Sequence, residues 1–186
     1  MKNQLAIFDF DGTLFDTAPA NHAAYAEALR PFGVELPYGY FAEHMNGRYY
    51  RDFLPALIGS DPHDLETVHR AKSAVYPHYF DRIRENRGLF DLLDALADRY
   101  YIALVTTAAR ESVLAILEHF SRRACFDLIL TQQDVKKKKP APDGFLLAMD
   151  HFGVAPDHTI IFEDSPEGVE AARQCGASYL LVDQIR

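Results

Sequence analysis

Five short runs of nearly unbroken hydrophobic residues punctuate the chain: Leu5 to Phe8, Tyr101 to Val105, Leu128 to Leu130, Thr159 to Phe162 and Tyr179 to Val182. Runs of this length without polar alternation predict strands buried on both faces, as in a parallel sheet held between helices. Between the last four runs, apolar residues recur at helical spacing, as in Val113, Leu117 and Phe120, or Phe145, Met149 and Phe152. The alternation predicts β-α-β units and hence an α/β core. The helix after Phe162 carries the clearest signals: Ser165 as N-cap, Pro166 at the first helical position and Gly176 as a left-handed stop.

Residues 18–86 break the rhythm. They hold no comparable strand, and their Ala, Leu, Tyr and His residues are punctuated by Gly33, Pro37, Gly47 and Gly59. A small α-helical insertion is expected there, which divides the chain into a core of residues 1–17 and 87–186 and an inserted domain of residues 18–86. Leu89, Leu92, Leu93 and Leu96 then predict a helix with one apolar face leading back to the strand at Tyr101.

Composition narrows the class. With 186 residues, 48% of them apolar, the chain is long enough to bury a core. No apolar run approaches a membrane span, and Met1-Lys2 leads straight into the first strand, so neither a span nor a signal peptide is expected and a cytoplasmic location is. Cys125 and Cys175 lie far apart with no metal-ligand or redox spacing, and read as small buried hydrophobes. An excess of 27 acidic over 19 basic residues, net charge -8, argues against nucleic acid as a partner. The basic run Lys136 to Lys139 is too short to reverse that, and its first three residues read as a solvated surface.

Polar chemistry gathers at the ends of the predicted strands. Asp9 and Asp11 close the first one in Asp9-Phe10-Asp11-Gly12-Thr13. Residues two apart on a strand share a side, so both carboxylates can face one pocket while Phe10 turns away, and Gly12 allows a sharp turn. Two close carboxylates repel, which favours a bound cation, and a hard ion such as Mg²⁺ would take few protein oxygens. Taken alone, the fragment is also compatible with an Asp-Gly turn carrying incidental acids. Thr106 and Thr107 end the second core strand, where a threonine can equally cap a helix. Lys139 precedes Pro140 after the third, and Glu163 and Asp164 end the fourth, where acids can also serve a helix N-terminus. These are the strand ends at which ligands of open α/β folds bind.

With Asp9-Phe10-Asp11-Gly12-Thr13, Thr106, Lys139-Pro140 and Glu163-Asp164 in that order, the sequence resembles the haloacid dehalogenase superfamily hydrolases, in the group of phosphatases and beta-phosphoglucomutase-like enzymes with a helical cap. The resemblance runs over nearly the whole chain. It implies a Rossmann-like parallel core with the insertion as cap domain, and a Mg²⁺-dependent phosphatase acting on a small phosphate ester through an aspartyl phosphate. Asp9 would be the nucleophile and Asp11 the general acid and base, which requires their pKa values to be pushed apart, Asp9 ionised and Asp11 protonated at the start. Mg²⁺ would be held by the Asp9 carboxylate, the Asp11 carbonyl and Asp164, with Glu163 as a water-mediated or orienting group. Thr106, Thr107 and Lys139 would hold the phosphoryl group. A monomer or weak dimer suits a mobile cap.

The second acid also discriminates within the family. Dehalogenases lack the Asp11 carboxylate because a halide leaves without a proton. Phosphonate-cleaving members use a cap lysine, and the insertion's Lys72 stands in a context that does not resemble theirs. A sugar phosphomutase is the closer alternative, but where the mutases carry a cap histidine this chain has Asn21, with His22 one position later. Arg48 and Arg51, in Asn46-Gly47-Arg48-Tyr49-Tyr50-Arg51, are the cap residues best suited to contact a substrate's distal group, or are surface residues. Tyr49, Tyr50 and Phe53 read as cap packing. A third reading, a non-catalytic binding protein on the same scaffold, fits the complete set of acids poorly.

Overall fold

The computed structural model describes residues 2–183. Its central element is a five-stranded sheet of β1 (Gln4–Phe8), β4 (Tyr100–Val105), β5 (Leu128–Leu130), β6 (Thr159–Glu163) and β7 (Ser178–Leu181), in the order β5-β4-β1-β6-β7. All the pairings are parallel: Leu5 lies opposite Tyr101 on one side and Thr159 on the other. The strand order reverses beside β1, so the ends of β1, β4 and β6 share one edge, at the switch point where such sheets bind ligands.

The helices between strands are α6 (Arg87–Leu96), α7 (Arg110–His119), α8 (Asp143–Phe152) and α9 (Pro166–Cys175). Leu5 and Ile7 of β1 join Ala103, Val105 and Ile161 in a buried cluster with Phe145 and Met149 of α8 and Ala171 and Ala172 of α9. By alternation Phe8 faces the other way, where its ring stacks on Phe162 with centroids 4.5 Å apart. Helix α6 packs on β4 and buries Leu89, Phe90 and Leu93. Leu92, expected on that apolar face, is 38% exposed, and Phe90 fills the place instead.

The last strand also departs from expectation. Hydrophobic run or not, β7 is an edge strand of the sheet, as β5 is on the other side, and Leu180 and Leu181 are 51% and 64% exposed.

The chain divides into two compact units, one of Met1–Asp16 with Glu85–Arg186 and one of Thr17–Arg84. It leaves the sheet unit through the two-residue strand β2 (Phe15–Asp16) and returns through β3 (Arg84–Glu85). The second unit is helical, with α1 (Ala18–Leu29), α2 (Tyr38–His44), α3 (Tyr50–Phe53), α4 (Pro55–Ile58) and α5 (Pro62–Val75), a 3-10 turn Arg30–Phe32 between α1 and α2 and a 3-10 segment Tyr76–Arg82 after α5. Leu29, Phe41, Met45, Tyr50, Phe53, Leu54, Leu65 and Val68 form its own core. No helix among the described residues is long and apolar enough to cross a membrane. Cys175 is buried and Cys125 half-buried.

Candidate active site

Asp9 follows β1 directly, and its N–H still donates to the Phe162 carbonyl at 3.0 Å, so the nucleophile candidate is held in the register of the sheet. Just beyond it the chain folds back: Gly12 N–H donates to the Phe15 carbonyl (2.8 Å), and Leu14 and Phe15 both donate to the carbonyl of Phe10. Gly12 adopts φ +88°, a region that L side chains avoid. A Cβ there would also lie 2.0 Å from Asp164 Oδ2, so the glycine makes room for the carboxylate.

Lys139, brought in by the loop after β5, ties three strand ends together. Its ammonium donates to Asp9 Oδ1 (2.6 Å), to Glu163 Oε1 and to the Val105 carbonyl (3.2 Å). Thr106, Thr107 and Lys139 line one shallow depression, Thr106 buried and Thr107 exposed. The Thr106 hydroxyl accepts from Ala108 N–H at 3.0 Å. That bond turns the loop tightly before α7, whose N-cap position is Ala109, so the threonine shapes the loop without capping the helix. The neighbouring Lys136, Lys137 and Lys138 are exposed, as their run suggests.

The acids crowd. One oxygen each from Asp9, Glu163 and Asp164 can be chosen so that all lie within 4.8 Å of one another, and Glu163 is fully buried. Lys139 answers three carboxylates with one charge. Burial and the neighbouring charge of Glu163 therefore push Asp164 up to about 6. Burial likewise drives Asp9 well above the usual carboxylate range, with Lys139 opposing and Glu163 and Asp11 adding to the rise. Burial disfavours the Lys139 ammonium, but Asp9 and Glu163 outweigh it and hold it charged. The expected separation, with Asp9 low, is thus not a property of the protein groups alone. A surplus of buried negative charge with oxygen donors is the environment a divalent cation relieves, so the donor set fits Mg²⁺.

Several supporting residues were not singled out from the sequence. The buried Thr13 hydroxyl donates to Asp164 Oδ1 at 3.1 Å. Asn86 holds the same loop: its N–H donates to the Leu14 carbonyl, its Nδ2 to the Thr13 carbonyl, and its Oδ1 caps α6 by accepting from Leu89 N–H. Ser165 caps α9 as expected, accepting from Gly168 N–H, and Gly176 ends it at φ +75°. Ser165 also donates from its N–H and its hydroxyl to Glu163 Oε2, both at 2.9 Å. A Cβ at Gly168 would sit 1.9 Å from Glu163 Cδ, so the helix can pass the buried carboxylate only as glycine. A glycine inside a well-capped helix was the available signal, since it weakens a helix unless packing demands it.

The candidates from the insertion lie in the helical unit. Arg48 is exposed. Arg51 donates through Nε to Tyr50 Oη at 2.9 Å, and Tyr50 in turn donates to Glu66. Tyr50 and Phe53 are buried in packing, whereas Tyr49 is 47% exposed and outside that core. His22 is paired through Nε2 with the Leu36 carbonyl (2.8 Å) and lies among Tyr38 and Phe41. Lys72 lies 3.7 Å above the Tyr76 ring.

Comparison with known proteins gives the family and the fold. The profile of the family described as haloacid dehalogenase-like hydrolase matches residues 6–182. The chain is 33% identical to the fructose-1-phosphate phosphatase of Escherichia coli (strain K12), covering 91% of each protein. It is 30% identical to a phosphorylated carbohydrates phosphatase of Thermotoga maritima, over 93% of this chain and 82% of the relative. Among solved structures, a candidate beta-phosphoglucomutase from Thermotoga maritima superposes with a TM-score of 0.79 at 29% identity, covering 98% of this chain and 87% of that one.

Proposed function

This chain belongs to the haloacid dehalogenase-like hydrolase family, and from that premise we propose that it is a phosphatase of small phosphorylated sugars working through an aspartyl phosphate on Asp9. The observation that carries the reading is the Asp9 carboxylate, seated at a strand end in the company of Lys139 at 2.6 Å and of Asp11. The sugar-phosphate substrate class is supported by the relatives in Escherichia coli and Thermotoga maritima.

An Asp9 oxygen attacks phosphorus as the ester P–O bond breaks, and protonated Asp11 passes its proton to the departing alkoxide, which leaves as the alcohol. Water then attacks the phosphorus of the aspartyl phosphate, Asp11 takes the proton from that water, and inorganic phosphate leaves with Asp9 restored as a carboxylate. Lys139 and the Thr106 edge hold the equatorial oxygens, where positive charge and hydrogen bonds serve phosphoryl transfer best. Mg²⁺ would be held by the Asp9 and Asp164 carboxylates and the Asp11 carbonyl, with Glu163 beside them, and would neutralise the repulsion between carboxylate and phosphate. The helical unit Thr17–Arg84 serves as the cap, with Arg48 and Arg51 as candidates for the sugar's distal groups.

The test is Asp9→Asn assayed on fructose 1-phosphate with Mg²⁺. A folded variant without turnover is the expected result, and wild-type turnover removes Asp9 as nucleophile. A phosphomutase is the second reading, suggested by the Thermotoga maritima neighbour. His22 weighs against it, because its Nε2 is engaged with the Leu36 carbonyl. Incubation with a hexose 1-phosphate separates the two: free sugar and phosphate support the phosphatase, and an isomerised sugar phosphate supports the mutase.

A further inference from the structure

The loop that follows β5 does more than deliver Lys139. Asp134, four residues past that strand, has both carboxylate oxygens engaged. Its Oδ2 accepts from Thr131 N–H (2.8 Å) and from the Thr131 hydroxyl (2.9 Å), while Oδ1 receives the Arg110 guanidinium. Arg110 is the first residue of α7, the helix that begins just after the Thr106-Thr107 turn. Beside it, Gln133 Oε1 accepts from the Arg110 backbone N–H (3.0 Å), acting as an N-cap supplied from another loop, and lies 3.1 Å from the Thr131 hydroxyl, whose one hydrogen it shares with Asp134. Gln132 N–H donates to the Ala108 carbonyl at 3.1 Å, and Thr106 N–H to the Leu130 carbonyl at 3.0 Å. Thr131, at the centre of the lattice, is buried.

We propose that Asp134 is a positioning residue for phosphate binding: with Gln133 it clasps the loop carrying Thr106 and Thr107 to the loop carrying Lys139, and so sets the spacing of the groups that hold the phosphoryl oxygens. The inference rests on the reading of Thr106 as a phosphoryl-holding residue. Neither turn is part of a strand or helix: two backbone bonds carry the pairing of β4 and β5 into them, and beyond these the spacing is held by the side-chain bonds of Asp134 and Gln133. Although burial pushes the Asp134 carboxyl upward, the Thr131 donors and the Arg110 guanidinium outweigh it and hold the carboxyl below its usual value, so the clasp stays charged and closed at neutral pH.

The experiment is a double-mutant cycle on p-nitrophenyl phosphate turnover with Mg²⁺ in the full chain, with inhibition by inorganic phosphate and a thermal melt measured in parallel. Asp134→Ala is expected to lower kcat/KM about ten- to a hundredfold, as small misplacements of positioning groups do, and to weaken phosphate inhibition. Made in a Thr106→Ala background, the same substitution is expected to cost clearly less than in the parent, because one of the groups it positions is already gone. Asp134→Asn, which keeps an acceptor for Thr131 but drops the charge facing Arg110, is expected to recover part of the loss. Equal losses in both backgrounds mean a general structural effect and overturn the proposal, as does a folded Asp134→Ala with parental kinetics. If Asp134→Ala does not fold, the exposed Gln133→Ala carries the test: weaker phosphate inhibition supports the clasp and unchanged inhibition overturns it. Thr106→Ala with parental kinetics overturns the role of Thr106 itself, whereas an impaired Thr106→Ala with additive losses overturns the clasp alone.

Discussion

At the scale of single residues the site is governed by an imbalance of charge. Asp9 and Glu163 pair with the Lys139 ammonium while Asp164 lies beside them, and burial, followed by the Glu163 charge, pushes Asp164 up to about 6. A cation entering this site must displace protons. Calorimetry of Mg²⁺ binding in buffers of different ionisation enthalpy is expected to show net proton release, larger at pH 6 than at pH 8; equal heats across buffers at pH 6 would contradict it. The consequence for stability has a definite sign. A carboxyl raised in the folded state binds protons more tightly there than in the unfolded chain, so its contribution falls as pH rises from the ordinary carboxylate range through about 6. In chelator, Asp164→Asn is therefore expected to gain melting temperature relative to the parent as pH rises from 5 to 7. A gap between the two that is constant with pH would show that Asp164 is not the group responsible. Gly12 works at the same scale. With φ +88° and Asp164 Oδ2 in the place of a Cβ, Gly12→Ala is expected to raise the Mg²⁺ concentration for half-maximal activity about tenfold or more, judged by what disturbed ligand support usually costs.

Helix α9 shows how an element serves the site. Its first turn is closed by Ser165, whose hydroxyl accepts from Gly168 N–H and donates to Glu163, so cap and buried carboxylate depend on one another. Removing a serine cap ordinarily costs about 1 kcal/mol; Ser165→Ala is expected to exceed that in urea denaturation, because a buried charge loses a donor as well. Gly168→Ala tests the opposite intuition. In a helix interior alanine is better than glycine by about 1 kcal/mol, yet here the added carbon meets Glu163 Cδ at 1.9 Å. The expected outcome is a lower melting temperature and reduced turnover, with the Lys139–Glu163 pair displaced. A stabilised, fully active variant would show that the carboxylate can yield. The same scale explains β7: an edge strand leaves Leu180 and Leu181 exposed although the run itself reads as core.

Over the whole molecule, the sheet unit carries Asp9, Asp11, Thr106, Lys139, Glu163 and Asp164, and the helical unit has a separate core. In the proposed reading, ligation by several carboxylates would make metal binding part of the folding energy of the sheet unit. Mg²⁺ at about a hundred times its dissociation constant is expected to stabilise the native state by about 2.7 kcal/mol, visible as a melting temperature that rises with Mg²⁺ and falls with chelator; Asp164→Asn should blunt the response. The parallel strands, the limits of α9 and the four polar strand ends were legible in the chain, because burial on both faces, helix capping and strand alternation each leave a local pattern. Helix α6 and strand β7 were legible as elements but not in which residues they bury, since Phe90 replaces Leu92 only through its neighbours and β7 is an edge only through sheet order. The tertiary structure alone decided what lies beyond sequence spacing. Thr13 and Asp164 stand 151 positions apart, and Lys139 and Asp9 stand 130 apart. The glycine at 168 is explained only by the carboxylate that occupies the space a Cβ would take, and the one at 12 by such a carboxylate as well as by its φ of +88°. Local sequence determines which elements form and which chemistry they carry to the sheet edge, whereas the distances, burial and shared protons that set that chemistry's strength exist only once distant segments pack together.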